Sequence, residues 1–200
     1  MAKLLYQGHS SYRLTADNGR VVYVDPYAGA GYDRPADLVL ITHEHPDHSD
    51  IALVRQKPDC VVLREADMLV DGEYQTKEVD SITIQAVPAY NLKHDRDASV
   101  GYVITIDGVI VYGSGDTSTT SCMEDILPFE QIDYALLCID GDHNMNAEEA
   151  SHCAEILHAH HAIPIHMKAG ALFDDALAEQ FTPENRLIMR PGEEIILHHE

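Results

Sequence analysis

The chain has 200 residues, which is enough for one domain with a large hydrophobic core. Its 13 Lys and Arg against 34 Asp and Glu give a formal net charge of −21, so nucleic acid and anionic membranes are disfavoured as partners. No apolar run approaches membrane-spanning length and the four cysteines form no CxxC pair, so we expect one domain over residues 1–200, with no membrane partner, in a reducing cytoplasm.

The first half of the chain is predicted to form short strands joined by turns. Asp17-Asn18-Gly19 and Asp107-Gly108 are typical of tight hairpin turns. A short helix is expected to begin near Ser49 or Asp50, either of which suits the cap position. The predicted strands are 3–7, 11–15, 21–24, 38–42, 60–63, 82–87, 100–106 and 109–112.

The second half mixes helices with strands. Asn146 is a good helix cap, with Glu149 three residues later, and the helix is expected to run to about Ala159. A second helix is predicted near residues 172–180. The remaining strands are 134–139, 162–165 and 194–197. Strands followed by strand–helix alternation favour two packed sheets covered by helices.

The most informative segment follows the predicted strand 38–42. It places His43, His45, Asp47 and His48 within six residues, and imidazole and carboxylate are common ligands of divalent transition metals. His43 and His45 are two residues apart and point to the same side of an extended strand end, whereas Asp47 and His48 are adjacent and diverge. We interpret the segment as half of a two-metal site, with one pair on each ion. A solvated, His-rich loop is the alternative.

Three further candidate ligands each follow a predicted strand: His94, Asp116 and His166. Each by itself also fits a turn or cap residue. Together they supply the three ligands that a dinuclear site would still lack. Gly113 and Gly115 beside Asp116 would allow the backbone to approach a ligand closely.

These motifs resemble the hydrolases of the metallo-β-lactamase fold, in particular the small stand-alone bacterial and archaeal members related to ascorbate-6-phosphate lactonase. The matching segments follow the family's order and cover nearly the whole chain. They are Gly8-His9-Ser10-Ser11, Val24-Asp25-Pro26, the His43-x-His45-x-Asp47-His48 motif, Ala89-Tyr90-Asn91 with His94, Gly101-Tyr102-Val103, Gly115-Asp116-Thr117 and Ile163-Pro164-Ile165-His166. The resemblance implies an α/β (α+β) fold, a four-layer αββα sandwich with the site at one edge between the sheets.

The resemblance also implies which residues bind metal. His43, His45 and His94 would hold the first ion, Asp47, His48 and His166 the second, and Asp116 would bridge the two. We expect two divalent ions, zinc first, with manganese, iron or nickel as alternatives, because His/Asp sites accept all of them. Asp25 is implied to accept a hydrogen bond from a ligand imidazole, although an Asp before Pro26 fits an ordinary turn equally well.

Seven candidate ligands indicate hydrolysis in which two ions share a bridging hydroxide. Asp47 is expected to be catalytic as well as a ligand, orienting the nucleophile and passing a proton to the leaving group. We expect a small-molecule substrate with an ester, lactone, thioester or amide bond. The candidate substrate contacts are His9, Asn91 and His143, each of which also fits a turn or loop residue.

Two other functions stay open on the sequence alone. The first is a phosphodiesterase or RNA-processing nuclease of the same fold, against which the charge of −21 argues. The second is a non-catalytic metal-binding or sensing protein, against which the presence of all seven ligands argues. The sequence indicates neither the individual substrate nor the oligomeric state.

Overall fold

Fourteen strands form two six-stranded sheets and one short hairpin in the computed structural model, which describes all 200 residues. The strands of the first half are β1 (Lys3–Gly8), β2 (Ser11–Thr15), β3 (Val21–Val24), β4 (Ala36–Leu40), β5 (Gln56–Leu63), β6 (Leu69–Val70) and β7 (Glu73–Tyr74). They continue with β8 (Thr76–Val79), β9 (Ile82–Pro88), β10 (Val100–Ile106), β11 (Val109–Gly113), β12 (Tyr134–Cys138), β13 (His161–Ile165) and β14 (Glu194–Ile196). The helices are α1 (Glu65–Met68), α2 (Ser121–Asp125), α3 (Ala147–Ile156) and α4 (Asp175–Ala178).

The strand directions decide where the ends of the strands meet. The first sheet has the order β14-β1-β2-β3-β4-β5, and β3, β4 and β5 are parallel neighbours. The second has the order β13-β12-β11-β10-β9-β8, and β11, β12 and β13 are parallel neighbours. All other neighbours are antiparallel. Consequently β1, β3 and β4 end at one edge of the first sheet, and β9, β11, β12 and β13 end at one edge of the second.

Apolar side chains on the inner faces of the two sheets form the main core, a cluster of 27 buried residues that includes Tyr6, Tyr12 and Tyr102. A strand alternates its side chains between faces, so each sheet also has an apolar outer face to cover. A cluster of 22 buried residues lies between the second sheet and the helices α2 and α3. The cluster at the outer face of the first sheet has only six buried residues, four of which belong to β3 and β4 themselves.

The expected four-layer αββα fold is confirmed, with unequal outer layers. The cover of the first sheet includes a three-residue 3₁₀ turn, Ile51–Leu53, in place of the helix predicted near Ser49. Asp50 lies at the cap position of this turn without a side-chain capping hydrogen bond. No helix of the protein is both long and apolar enough to cross a bilayer, and the longest, α3, has ten residues.

Most predicted strands are present within two residues of their expected ends, but several elements were not predicted. The strand β5 begins at Gln56, four residues before the predicted start. The prediction missed these residues because Pro58 interrupts the strand pattern, and proline is tolerated here because β5 is an edge strand. The strand β8 has the sequence TKEV, which has too few apolar residues to indicate a strand. Two helices are shorter than predicted. The helix predicted at 172–180 is reduced to the four residues of α4, and α3 ends at Ile156 and not near Ala159.

Candidate metal centre

Every candidate ligand follows the carboxyl end of a strand. In the first sheet, β1 is followed by His9, β3 by Asp25, and β4 by the segment from His43 to His48. In the second sheet, the corresponding residues are Asn91 and His94 after β9, Asp116 after β11, Asp140 after β12 and His166 after β13. Since these strand ends meet at one edge of the sandwich, side chains distant in sequence come together between the two sheets.

The first group of ligand atoms comes from His43, His45 and His94, whose donor atoms all lie within 4.8 Å of one another. His45 turns its Nδ1 atom inward, and this atom is 3.2 Å from Nε2 of His94. His43 and His94 are buried and His45 is half-buried. The structure thus brings together the three imidazoles that the resemblance assigns to one ion.

The second group consists of Asp47, His48 and His166, which are joined by His9 within the same 4.8 Å. Asp116 lies between the two groups. One of its carboxylate oxygens, Oδ2, is 3.4 Å from His94 Nε2 and 3.2 Å from His166 Nε2, while Oδ1 is 3.4 Å from His48 Nε2. A single buried carboxylate thus contacts both groups, as a bridging ligand requires.

The donor atoms fit metal ions on a further ground. The Nε2 atoms of His43, His48 and His166 and the Oδ1 atom of Asp116 are buried and have no hydrogen-bond partner. A buried polar atom without a partner costs about 1–3 kcal/mol, and such atoms are rare in folded proteins. Four of them facing one point form a set of nitrogen and oxygen donors that suits a divalent metal.

Carboxylates and hydroxyls behind the ligands fix the orientation of the imidazole rings. Asp25 accepts from His48 Nδ1 at 2.9 Å, and its other contacts are the backbone N–H and the hydroxyl of Thr42. The Thr42 hydroxyl donates to Asp25, so it accepts from Nδ1 of His43 at 3.0 Å. Asp140 Oδ2 lies 2.6 Å from His166 Nδ1. In His43 and His48 the proton is therefore held on Nδ1, which leaves Nε2 for a metal, and in His166 the Asp140 carboxylate likewise occupies the Nδ1 side of the ring.

The electrostatics of the ion-free site follow from burial and from the central carboxylate. Burial, reinforced by nearby His48, lowers the pKa of His43 to about 2, and burial lowers the pKa of His94 to about 4. Burial alone would also lower the pKa of His166, but the adjacent carboxylates of Asp116 and Asp140 raise it to about 9. The pKa of Asp116 is well below its usual value because His48 and His166 outweigh its burial. Metal binding must therefore displace protons from the second group.

Three residues of the centre have left-handed backbone conformations, which non-glycine residues seldom adopt. The φ angles are 57° at His9, 45° at Asp25 and 45° at His166. Each residue directly follows, or nearly follows, a strand, so the left-handed turn redirects the chain and aims the side chain between the sheets. Such conformations cost about 1–3 kcal/mol each and are concentrated at functional sites.

The structure corrects two expected substrate contacts. His9 is fully buried, with Nε2 3.1 Å from Asp47 Oδ2 and Nδ1 3.1 Å from the carbonyl of Ala171, so it lies behind Asp47 instead of facing a ligand. Asn91 accepts from His94 Nδ1 at 3.0 Å and is likewise not a lining residue. His143 is exposed and does line the cavity.

The glycines beside Asp116 allow close packing within the protein. Gly115 has a φ of 61°, and a Cβ atom there would lie 2.8 Å from the carbonyl oxygen of Val100. Gly115 therefore lies close to protein backbone and to Thr42. Gly113 in turn packs against the hydroxyl of Tyr12.

The sequence did not reveal Thr42, Asp140 or Asn144. All three hold ligands or their partners by hydrogen bonds that join separate loops. Only their position could have indicated them, since Thr42 and Asp140 each lie two residues past the end of a strand and the candidate ligands also follow strand ends. No spacing pattern within the sequence links them to the histidines.

Five of the candidate ligands form the floor of an open cavity of about 310 Å³, namely His45, Asp47, His94, Asp116 and His166. Its rim includes Lys93, Asp142, His143 and Lys168, which are all exposed. Neither lysine forms an ion pair, because the lysine ion pairs of the protein involve Lys3 and Lys57. Two unpaired cations therefore stand at the entrance of a protein that is otherwise strongly acidic.

Comparison with known proteins gives consistent matches. Residues 3–166 match the family described as the beta-lactamase superfamily domain. A UPF0173 metal-dependent hydrolase of Methanoculleus marisnigri is 32% identical over 182 residues, which span 82% of this chain and 80% of the relative. The crystal structure of a proposed metal-dependent hydrolase from Parabacteroides distasonis has a TM-score of 0.76 at 28% identity and covers 94% of this chain and 92% of its own. Igni18, a metallo hydrolase of Ignicoccus hospitalis, has the same fold, with a TM-score of 0.75 at 22% identity and 97% of each chain covered.

Proposed function

Because the chain belongs to the beta-lactamase superfamily and is a metal-dependent hydrolase like its relatives, we propose that it cleaves a small ester, lactone, thioester or amide with two divalent metal ions. One observation carries this proposal. Seven His and Asp side chains converge, five of them on the floor of an open cavity, and four of their buried donor atoms have no hydrogen-bond partner.

The proposed ligand set has two halves that share one carboxylate. The first half is His43, His45 and His94, and the second is Asp47, His48 and His166, with Asp116 between them. Zinc is the first choice because a set of five imidazoles and two carboxylates suits it, and manganese, iron and nickel are the alternatives. When bound, two such ions would polarise the scissile oxygen and lower the pKa of a shared water toward neutrality, making hydroxide available as the nucleophile.

Asp47 is the proposed proton carrier. Its side chain and that of Asp116 both line the cavity, but Asp47 is 34% exposed whereas Asp116 is buried. A hydrogen bond from His9 lowers the pKa of Asp47, so the group is ionised at neutral pH and can accept a proton. Because His9 holds one oxygen of Asp47 from behind, the carboxylate stays directed at the cavity, where it can pass that proton to the leaving group.

The rim of the cavity supports a substrate that carries a negative charge. Lys93 and Lys168 extend from loops on either side of the ligands and have no acidic partner. A chain of net charge −21 would otherwise repel an anion, and local cations at a cleft entrance offset that repulsion. We therefore include anionic esters, lactones and amides among the substrates to be tested.

The test is hydrolysis by protein that is first stripped of metal and then reloaded with zinc, manganese, iron or nickel. The panel contains lactones, acyl esters, thioesters, amides and phosphodiesters. We expect His43→Ala to abolish turnover and Asp47→Ala to lower it about 10²–10⁴-fold, the range for a general acid or base. The control is His152→Ala, which removes an imidazole from the exposed face of α3. Full turnover by Asp47→Ala would contradict the mechanism.

The same panel tests the phosphodiesterase or nuclease alternative. Cleavage confined to phosphodiesters, together with a salt-sensitive affinity for RNA, would favour that alternative. The net charge of −21 argues against it, because a nucleic-acid surface is usually basic. We also propose a reducing, cytoplasmic location, which is supported by four cysteines that are all free.

A further inference from the structure

Two asparagines connect the two halves of the metal centre through hydrogen bonds. Asn91, after β9, accepts from His94 Nδ1 at 3.0 Å and donates from Nδ2 to Asn144 Oδ1 at 2.7 Å. Asn144, after β12, donates from its own Nδ2 to Asp140 Oδ2 at 2.7 Å. Asp140 Oδ2 lies 2.6 Å from Nδ1 of His166. The contacts form a continuous chain from a ligand of the first half to a ligand of the second.

The donor and the acceptor of each hydrogen bond made by the two asparagines can be assigned without ambiguity. The Oδ1 atom of Asn91 also accepts from the backbone N–H groups of Lys93 and His94, which can only donate, so the oxygen and nitrogen of this amide cannot be exchanged. The Nδ2 atom of Asn91 must then face an acceptor, so the atom of Asn144 that it contacts is the oxygen, Oδ1. The nitrogen of Asn144 in turn faces the Asp140 carboxylate, which only accepts.

The chain determines the protonation pattern of both terminal histidines. Nδ1 of His94 donates to Asn91, and Nδ1 of His166 lies 2.6 Å from the Asp140 carboxylate, so in both rings the Nε2 atom is the one turned toward Asp116 and available to a metal. These two Nε2 atoms lie 3.4 Å and 3.2 Å from the same oxygen of Asp116. The contacts therefore close into a ring that joins the loops after β9, β11, β12 and β13.

We propose that Asn91 and Asn144 are positioning residues that couple the two halves of the centre, so that metal binding in one half depends on the other. An ion on His94 fixes that imidazole and, through the ring, the two amides and Asp140. The orientation of His166 is then already set when the second ion arrives, and less conformational freedom remains to be lost. Neither asparagine is itself a ligand.

The decisive variant is Asn91→Asp. Aspartate is nearly the same shape and retains an oxygen that accepts from His94, but it presents an acceptor to Asn144 in place of the Nδ2 donor. If Asn144 rotates to donate to the new carboxylate, its oxygen faces Asp140 and that link breaks instead. Either way the ring is interrupted. The added negative charge would by itself strengthen cation binding, so a loss of affinity cannot be an effect of charge.

The measurement is zinc affinity by competition with a chromophoric chelator, made in a His45→Ala background in which the first half is incomplete. One ion is expected to bind there, in the second half. Adding Asn91→Asp should weaken this binding about tenfold, at the lower end of the 10–100-fold range for residues that hold a ligand in place. Asn91 contacts no ligand of that half, so an unchanged affinity would overturn the coupling.

A matched control adds the same charge to a neighbouring loop position. Asn146→Asp leaves the ring intact and preserves the cap of α3, since aspartate accepts from the Glu149 backbone N–H as well as asparagine does. Its zinc affinity should equal that of the background or exceed it slightly. An equal loss in Asn146→Asp and Asn91→Asp would mean that the ring is not responsible.

A second variant covers the case in which Asn91→Asp does not fold. In metal-free parent protein, the Nδ1 protons of His94 and His166 should exchange slowly with water and be visible by nitrogen–proton correlation NMR. Asn144→Leu should accelerate exchange at both, although it contacts neither ring. Slow exchange in Asn144→Leu would overturn the proposal.

The coupling rests on the proposed function only in requiring two ions. If the parent protein binds fewer than two ions, the two-metal function fails and the coupling fails with it. If the parent binds two ions and the asparagine variants leave the affinities and exchange rates unchanged, only the coupling is wrong.

Discussion

Individual side chains in this protein have sharply different tasks although many are of the same type. His43 and His48 each hold a proton on Nδ1 and leave Nε2 without a hydrogen-bond partner, whereas His9 has both ring nitrogens engaged. The imidazole of His9 lies only 4.0 Å, centre to centre, from that of His166. The difference arises from the atoms behind each ring, since a carboxylate, a hydroxyl or a carbonyl selects which nitrogen is free.

The two rim lysines give a prediction at the scale of single residues. Replacing Lys93 and Lys168 by Gln removes two unpaired positive charges from the cavity entrance. We expect KM for an anionic ester to rise about tenfold, which corresponds to about 1.4 kcal/mol, with kcat largely retained. The measurement compares an anionic ester with its neutral counterpart of equal size.

Lys77→Gln is the control for that experiment, because Lys77 lies on the strand β8, does not line the cavity and also forms no ion pair. It should change neither KM. An equal rise of KM for anionic and neutral esters in the double variant would show that the lysines contribute shape and not charge. The proposed preference for anions would then be incorrect.

One buried carboxylate, that of Asp37, connects three strands of the first sheet near their first residues. Asp37, the second residue of β4, accepts from Arg20 at 2.6 Å, from the Val21 backbone N–H at 2.8 Å and from Lys57 at 2.7 Å. These partners lie at β3 and on β5, so one side chain connects three neighbouring strands. Because β4 carries the His43-to-His48 segment at its other end, this contact also supports the metal ligands.

Asp37→Asn tests this contact and its dependence on pH. Lys57 and Arg20 lower the pKa of Asp37 although its burial opposes this. The folded pKa is therefore below the unfolded value of about 3.9, so the carboxylate stabilises the fold above that pH and less as the pH falls through the folded pKa. We expect Asp37→Asn to lower the free energy of unfolding by about 2 kcal/mol at pH 7, and the difference from the parent to shrink below about pH 4.

Urea titrations at pH 7 and at pH 3 would measure this difference. Asp59→Asn, on the exposed edge strand β5, is the control and should change stability by less than about 0.5 kcal/mol. A difference between Asp37→Asn and the parent that stays constant down to pH 3 would rule out the ionised carboxylate as its cause.

For the whole molecule, the metal centre connects the two sheets. Its candidate ligands follow β4 in one sheet and β9, β11 and β13 in the other, so bound ions would act as cross-links between the layers. Without ions, several buried donor atoms are unpaired and His48 and His166 face a buried carboxylate. Metal binding should therefore favour the folded state strongly.

Removal of the metal provides the corresponding measurement. At a free zinc concentration of about 1,000 times Kd, one site adds about 4 kcal/mol to the free energy of unfolding. For a chain of this size we expect the chelated protein to melt at least about 8 °C below the zinc-loaded protein. Asp116→Asn, which weakens the shared ligand, should show a much smaller difference. Equal melting temperatures with and without zinc in the parent would refute a metal bound tightly in the folded state.

Part of this description could be obtained from the sequence. The close spacing of His43, His45, Asp47 and His48 specifies metal chemistry because so many ligands rarely lie together on a surface loop. Apolar alternation and turn residues specify most strands, since both are local properties of the chain. The family resemblance placed His94, Asp116 and His166 with them, and the structure brings all seven side chains together.

Other features depend on tertiary structure alone. The pairing of Asp140 with His166, the Asn91–Asn144 contact and the left-handed turns at His9 and His166 involve loops that are distant in sequence and adjacent only after the two sheets pack. Single polar residues in loops have no periodicity, so nothing in the sequence indicates their partners. The local spacing of histidines and aspartates therefore determines the type of chemistry. The tertiary structure determines the orientation of each candidate ligand, because one nitrogen of an imidazole ring is directed at a metal only when the other nitrogen has a partner.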